Sequence, residues 1–174
     1  MKYRYCPVCG REFDRWNNQL LICKGCGYHF YQTSKPTAGA VIVGDREDGR
    51  KIVLLTRRGI EPFKGYWDIP GGFLKNGEDP VEGLRREIRE ELGTELLDAE
   101  LFFSVTDSYP RDDIPEEAQF TICLYFICHI DPDTTLKAED DITESKWFPL
   151  DEIPEKLSFN GNKLALEKAR ELLE

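Results

Sequence analysis

Three glutamates on one face of a single short helix constrain this chain more than any other feature. Asp79 is a good N-cap, Pro80 suits the first helical position, and Glu82 stands where the acid of a capping box belongs. Gly93 supplies a left-handed C-cap, so the spacing predicts a helix over 80–92. At about 100° per residue, Val81, Leu84, Ile88 and Leu92 form one apolar stripe, which must lie against a sheet. Glu87, Glu90 and Glu91 fall on a neighbouring face at spacings of three and four. Arg85, Arg86 and Arg89 lie across the stripe or around the back. Carboxylates so placed repel one another by about a few tenths of a kcal/mol per pair. A divalent cation reverses that sign, because hard oxygens on one face are what Mg²⁺ or Mn²⁺ binds. A merely solvated acidic face is the alternative, and Arg86 has a structural use available one turn from Glu82 and Glu90.

Strands surround that helix. AGAVIVG (38–44) and KIVLLT (51–56) are short, β-branched apolar runs joined by the polar loop 45–50. Residues 57–80 are rich in Gly and Pro and read mostly as loop. Longer strands are expected over 96–108 and 119–130, a short one over 143–150, and an amphipathic helix over 162–173. The order β-β-α-β-β-β-α implies an α+β fold with a mixed sheet between helices. Cys123 and Cys128, five apart on one strand, point to opposite faces and read as buried apolar fillers, as does His129.

The other four cysteines form two CxxCG units, Cys6–Gly10 and Cys23–Gly27, separated by 13 residues. Each unit puts two sulfurs on one side of a tight loop, and two such loops complete a tetrahedral Zn²⁺ site. Residues 3–31 resemble a zinc ribbon, with Cys6, Cys9, Cys23 and Cys26 as the ligands. Four filled positions leave none for water, so this zinc is expected to be structural. His29 is three residues past Cys26 and is a candidate for a ligand swap or a surface position. Tyr28, Phe30 and Tyr31 either cover the metal knuckle or stack on a base.

A chain of 174 residues suits one catalytic-size domain with a small appendage, here 1–35 and 36–174. No apolar run reaches the roughly 18 residues of a membrane span, and the first residues lack the apolar core of an export signal. A cytoplasmic location and no membrane partner are therefore expected. Residues 1–35 hold six basic and two acidic residues, a net of +4, whereas the remaining 139 hold 17 and 31, a net of −14. An acidic body repels nucleic-acid backbones, so a nucleic-acid partner would have to use the ribbon.

Gly72, Glu78, Arg86, Glu87, Ile88, Glu90, Glu91 and Gly93 fit GX5EX7REUXEEXGU, with U a bulky aliphatic, and thus resemble the Nudix hydrolase box. Thr94 replaces the last aliphatic position. WDIPGG (67–72) and ESKWFPLDEIP (144–154) also resemble segments of that family, and the likeness spans about 36–174. It implies an α/β/α sandwich and metal-dependent hydrolysis of a nucleoside diphosphate linked to another group. By carry-over, Glu87, Glu90, Glu91 and the Gly71 carbonyl hold Mg²⁺ or Mn²⁺, Arg86 orients Glu87 or Glu90, and Glu78 ties loop to helix. The base is Glu90 or another box glutamate, or an acid of the later loop 138–144. There Asp141 matches best, with Glu139, Asp140 and Glu144 as alternates. Arg57 and Arg58 end a strand and are candidates to clamp phosphate. Tyr66, Trp67, Phe73 and Tyr109 are candidates to hold a base. The ribbon makes the chain similar to the NADH pyrophosphatase branch, but that branch's Ser-Gln-Pro-Trp-Pro-Phe-Pro type signature is replaced by TELLDAELFFSVTDSYPRDD. ADP-ribose, FAD or a similar dinucleotide is the expected substrate, with NADH or an RNA cap next. A nucleotide-sensing or nucleic-acid-binding regulator is the reading from a different class. The family likeness also makes a homodimer possible.

Overall fold

Asp79 and Gly93 bound the helix α1 (Pro80–Leu92) as their types predict: the Asp79 carboxylate accepts from the Val81 N–H, and Gly93 sits at φ 64°, ψ 25°. The computed structural model describes residues 3–13, 15–16, 20–110 and 120–173. Within these, β1 (Arg15–Trp16), β2 (Leu20–Ile22) and β3 (His29–Tyr31) form a small antiparallel sheet. The larger sheet contains β4 (Lys35–Asp45), β5 (Lys51–Arg58), β6 (Trp67–Asp68), β7 (Gly71–Phe73), β8 (Glu100–Ser108), β9 (Phe120–Cys128) and β10 (Ile142–Pro149). Its order is β10-β5-β4-β9-β8, with β6 on β5 and β7 on β4. The β4–β9 pair is parallel and the others are antiparallel, so the sheet is mixed.

Period-two alternation feeds two cores, one on each face. Ala38, Ala40, Ile42 and Leu54 meet the α1 stripe of Leu84, Ile88 and Leu92. Val41, Val43, Val53 and Leu55 meet Ala165, Leu166 and Ala169 of the second helix, α2 (Asn160–Leu173). A central strand buried on both sides needs a continuous apolar run, which is what 38–43 provides. Cys123 and Cys128 are both buried and join opposite cores. Among the described residues no helix is long and apolar enough to cross a membrane.

The predicted order holds, with local differences. β4 begins at Lys35 because residues 35–37 pair with β9 and, at Thr37, with β7. The expected loop 57–80 contains β6 and β7, two strands too short to leave a periodic signal. β8 starts at Glu100 rather than 96, Leu96 being drawn into the α1 core. The strand expected over 119–130 covers 120–128, residue 119 lying outside the described residues. His129 is not a core filler: Cys128 and Ile130 take the inward positions, and its exposed ring meets Asp98 at 2.9 Å.

The fully buried Ile88 anchors α1 to the sheet. Ile88→Ala is expected to lower the free energy of unfolding by about 2–5 kcal/mol, read from urea denaturation.

Candidate active site

The turn from β7 into α1 is built around Arg86. Glu78 Oε2 accepts from the Lys75 N–H (2.8 Å), while its two oxygens take Arg86 Nε (2.8 Å) and Nη2 (2.9 Å). Arg86 Nη1 donates to Glu87 (2.7 Å) and Glu90 (3.0 Å), and Nη2 to the Phe73 carbonyl (3.2 Å). Arg86 thus fixes the loop and two of the three helix glutamates together; its neighbour at Glu82, open on spacing alone, is not used. The Arg86 pairing, with the Lys75 N–H, holds the Glu78 carboxyl down at about 2. The same contacts push the Arg86 guanidinium up.

Two glycines bring the β7 backbone against these acids. A Cβ on Gly72 would lie 2.7 Å from the Glu87 carboxylate, and one on Gly71, at φ +138°, would strike the Ala38 carbonyl. The Gly71 N–H donates to Glu91 Oε2 at 3.0 Å. Glu91 is only 8% exposed, and no partner stands at its other oxygen among the described residues. Burial, then the charges of Asp68 and Glu87, push its carboxyl well above the usual range. Burial also raises Glu87, against the pull of Arg86.

These groups line a cavity of about 350 Å³. The loop before β10 closes one side: Lys137 N–H donates to the Leu92 carbonyl (3.1 Å), Glu139 N–H to that of Glu91 (3.0 Å), and Gly59 N–H to that of Asp141 (2.7 Å). That stitching places Asp140, at φ 54°, and Asp141 on the cavity wall beside the glutamates. At the floor, Arg58 pairs with Asp68 at 2.7 Å, Asn162 donates to Asp68 and Ser158, and Tyr125 OH donates to Asn162 at 2.9 Å. Among the described residues, seven carboxylates line the cavity (Asp68, Glu87, Glu90, Glu91, Asp107, Asp140, Asp141) against one cation, Arg58.

Gly71, Glu87, Glu90, Glu91, Asp141 and Arg58 therefore share one cavity, with Arg86 bracing it from behind. Arg57, Trp67 and Glu144 do not line it, nor do the base candidate Tyr66 and the alternate acid Glu139. Thr56, Arg58 and Asp68 turn inward, so their strand neighbours Arg57 and Trp67, paired across β5 and β6, turn away. Trp67 packs edge-on against Phe148 at 4.8 Å in the α2 core. Glu144 stands opposite Arg57 on β10, and the two exposed side chains meet at 3.5 Å. Nor is Arg58 a free phosphate clamp: its charge is matched by Asp68, its Nε is spent on the Pro62 carbonyl, and its Nη2 reaches Tyr109 OH. Sequence reasoning missed Asp68 and Asn162, whose inward placement depends on pairing between distant segments. Asp68 stands two residues ahead of the Pro-Gly-Gly turn, directly opposite Thr56, and that register was the available signal.

The ribbon presents a second, chemically different site. The Sγ atoms of Cys6, Cys9, Cys23 and Cys26 all lie within 4.8 Å of one another, with Cys6–Cys26 at 3.7 Å and Cys9–Cys23 at 3.5 Å. All four are free thiols, and four ligands at about 2.3 Å from a tetrahedral Zn²⁺ require sulfur separations of this size. Gly10 and Gly27, at φ +72° and +74°, close the two knuckles by donating to the carbonyls of Cys6 and Cys23. His29 is exposed on β3 and outside the sulfur cluster. The cavity suits a hard cation instead, since its donors are carboxylate and carbonyl oxygens and the buried Glu91 has no positive partner in direct contact among the described residues.

A family model described as the NUDIX domain matches residues 33–168. An ADP-ribose pyrophosphatase of Methanocaldococcus jannaschii is 35% identical over 126 residues, covering 71% of this chain and 69% of that protein. A Pseudomonas aeruginosa protein named as the NAD-capped RNA hydrolase NudC is 25% identical over 87% of this chain and 49% of its own length. The chain thus spans about half the length of that relative. A crystal structure of a NUDIX hydrolase from Nitrosomonas europaea superposes with a TM-score of 0.75 and 26% identity, over 97% of this chain and 90% of that one.

Two outcomes follow from the shifted carboxyls of Glu78 and Glu91. Glu78 is depressed in the fold, so its stabilisation is full above about 4.5 and is lost as pH falls toward about 2. Melting temperatures between pH 5 and pH 2.5 are expected to fall more steeply for the wild type than for Glu78→Gln. Glu91 is raised, so its ionisation destabilises the metal-free fold as pH climbs above the ordinary carboxylate value. Glu91→Gln is expected to melt higher than wild type without metal at pH 7.5, and to lose most of the stabilisation given by Mn²⁺.

Proposed function

The chain belongs to the NUDIX family, and from that premise we propose that it cleaves the pyrophosphate bond of ADP-ribose, FAD or a similar dinucleotide by water attack on phosphorus. Hydrolysis of a pyrophosphate is what the family and its relatives have in common; the choice among substrates is the further step. The observation that carries it is the buried Glu91 carboxylate, set with Glu87 and Gly71 around a cavity whose only lining cation among the described residues is already paired. Among the described residues, a diphosphate has no other source of positive charge there.

In this reading Glu87, Glu90, Glu91 and the Gly71 carbonyl hold Mg²⁺ or Mn²⁺. Bound there, the ion offsets diphosphate charge and lowers the pKa of water. Arg86 keeps Glu87 and Glu90 aimed at the cavity, and Glu78 keeps Arg86 in place. Asp141, whose backbone carbonyl is held by the Gly59 N–H on the same cavity wall, takes the proton from the attacking water. Two phosphate monoesters leave. Glu144 is not given a part, because Arg57 holds it on the outer side of the strand pair. Residues 1–35 act as a zinc-stabilised module and 36–174 as the hydrolase domain.

The 35% identity to an ADP-ribose pyrophosphatase favours a free dinucleotide. The likeness to NAD-capped RNA hydrolases extends over 87% of the chain and supports a capped RNA as the second reading. Incubation with Mg²⁺ and ADP-ribose, FAD, NADH, diadenosine polyphosphate or NAD-capped RNA, followed by product chromatography, separates them. ADP-ribose is expected to yield AMP and ribose 5-phosphate, and Arg86→Ala to lower that rate roughly 10–100-fold. Absence of turnover across the panel would defeat the proposal.

A further inference from the structure

We propose that Asp107 makes the cavity selective for substrates whose sugar hydroxyls are free and that carry no ionised group besides the diphosphate; this rests on the hydrolase reading and adds to it what the site refuses. Asp107 lines the cavity but has no part in the proposed cation-binding set. Unlike Asp68, it has no cation beside it among the described residues. It stands near the end of β8, which β4 and β9 separate from β7. Three strand spacings put those two backbones roughly 14 Å apart. Asp107 therefore lies across the sheet from Gly71 and from the Glu91 carboxylate that Gly71 holds.

Backbone donors fix both of its oxygens. Oδ2 accepts from the Gly161 N–H at the start of α2, and Oδ1 from the Ser108 N–H at 2.7 Å. A carboxylate held at both oxygens does not swing aside for an incoming anion, yet each oxygen keeps a further lone pair to offer. Tyr125 Oη faces the same spot: a Cβ at Gly161 would stand 2.8 Å from it and 2.9 Å from Asp107 Oδ2. Thr37, Thr121 and Asn162 add uncharged polar groups to this lining. Arg58 brings no relief, because its donors go to Asp68, the Pro62 carbonyl and Tyr109 OH, and its guanidinium packs on the aromatic rings of Tyr109 and Phe159.

An ionised carboxylate accepts hydrogen bonds and donates none, so it attracts a hydroxyl and repels a phosphate. A free ribose or ribityl hydroxyl supplies the donor that Asp107 lacks. Esterifying that hydroxyl with phosphate removes the donor and brings a like charge to a fixed, half-buried one. The divalent ion that would offset the diphosphate stands too far across the sheet to cancel it. Specificity of this kind works by an unpaired charge set against the wrong ligand. Asp107 suits a further metal ligand less well, since both its oxygens are engaged, whereas Glu91 has one without a partner among the described residues.

The test compares ADP-ribose with two analogues, one phosphorylated on the adenosine 2′-hydroxyl and one on the 1″-hydroxyl of the terminal ribose, so that both halves are covered. With Mg²⁺, the wild type is expected to turn over at least one analogue with kcat/KM about ten-fold or more below that of ADP-ribose. Asp107→Asn should raise KM for ADP-ribose and bring the refused analogue about ten-fold closer to it, whereas Asp107→Glu should keep the refusal. Asparagine retains an oxygen for the Gly161 N–H, so its melting temperature is expected to stay near wild type; Asp107→Ser is a second neutral variant. Loosened packing alone would weaken all three compounds alike and leave their ratio fixed. Equal kcat/KM for the three compounds in wild type, or an unchanged ratio in both neutral variants, overturns the proposal. So does loss of Mn²⁺ binding in Asp107→Asn by calorimetry, which would make Asp107 a ligand. The same ratios measured as binding constants with Ca²⁺ in place of Mg²⁺ need no turnover. If these shift as expected while nothing is hydrolysed, the exclusion stands and the hydrolase reading falls. Hydrolysis with the ratio fixed has the reverse meaning.

Discussion

One guanidinium holds the candidate site together. Arg86 is about 15% exposed, and it meets Glu78 and Glu87, which are nearly as covered, as well as the more open Glu90. An exposed pair of this kind contributes little. A half-dry network differs, because removing its central cation strands carboxylates that have already lost much of their water. Like charges at 87, 90 and 91 are tolerable on one helix face only while Arg86 offsets two of them from one side. The third, Glu91, is left to the Gly71 N–H and to whatever cation the cavity takes. Loop shape follows from the same contacts, since Glu78 reaches Arg86 only if residues 74–79 fold back over the helix start. With the loop so folded, Gly72 passes close enough to the Glu87 carboxylate that no side chain fits.

Local rules were enough to read α1 and the cysteine knuckles, down to the residue. Caps, helical period and left-handed glycines all act within a few positions of one another, and nothing elsewhere in the chain competes with them. The same holds for Cys123 and Cys128, whose opposite faces follow from strand alternation alone. Failures occurred where parity had to be carried between strands. Arg57 and Arg58 are adjacent and chemically alike, yet one lines the cavity and the other pairs with Glu144 outside it. Which is which depends on the register of β5 against β6 and β10, and that register is set by pairing partners 10 to 87 residues away. Trp67 was misplaced for the same reason, and Asp68, its neighbour, was overlooked. Asn162 and Phe159 stand at the start of α2, which meets the cavity only through the tertiary fold.

The two candidate sites offer different donor sets. The ribbon offers four soft sulfurs at tetrahedral separations, a closed set that leaves no place for water. The cavity offers carboxylate and carbonyl oxygens and open space. Thiolates suit Zn²⁺, whereas carboxylate and carbonyl oxygens suit Mg²⁺ or Mn²⁺. The charge division matches this: the sulfur module is the cationic part of the sequence, and the oxygen-rich part carries the excess of carboxylates.

For the proposed diphosphate substrate, so acidic a cavity raises a question of binding before one of catalysis. Charges a few ångströms apart in a partly dry site interact by several kcal/mol at an effective dielectric of about 20. Repulsion from the glutamates and Asp141 would therefore expel the diphosphate unless a cation entered with it or ahead of it. Arg58 offers no relief, being neutralised by Asp68 and held to the aromatic rings. On the proposed reading, a divalent ion held by the glutamates would offset that repulsion before contributing to the chemistry.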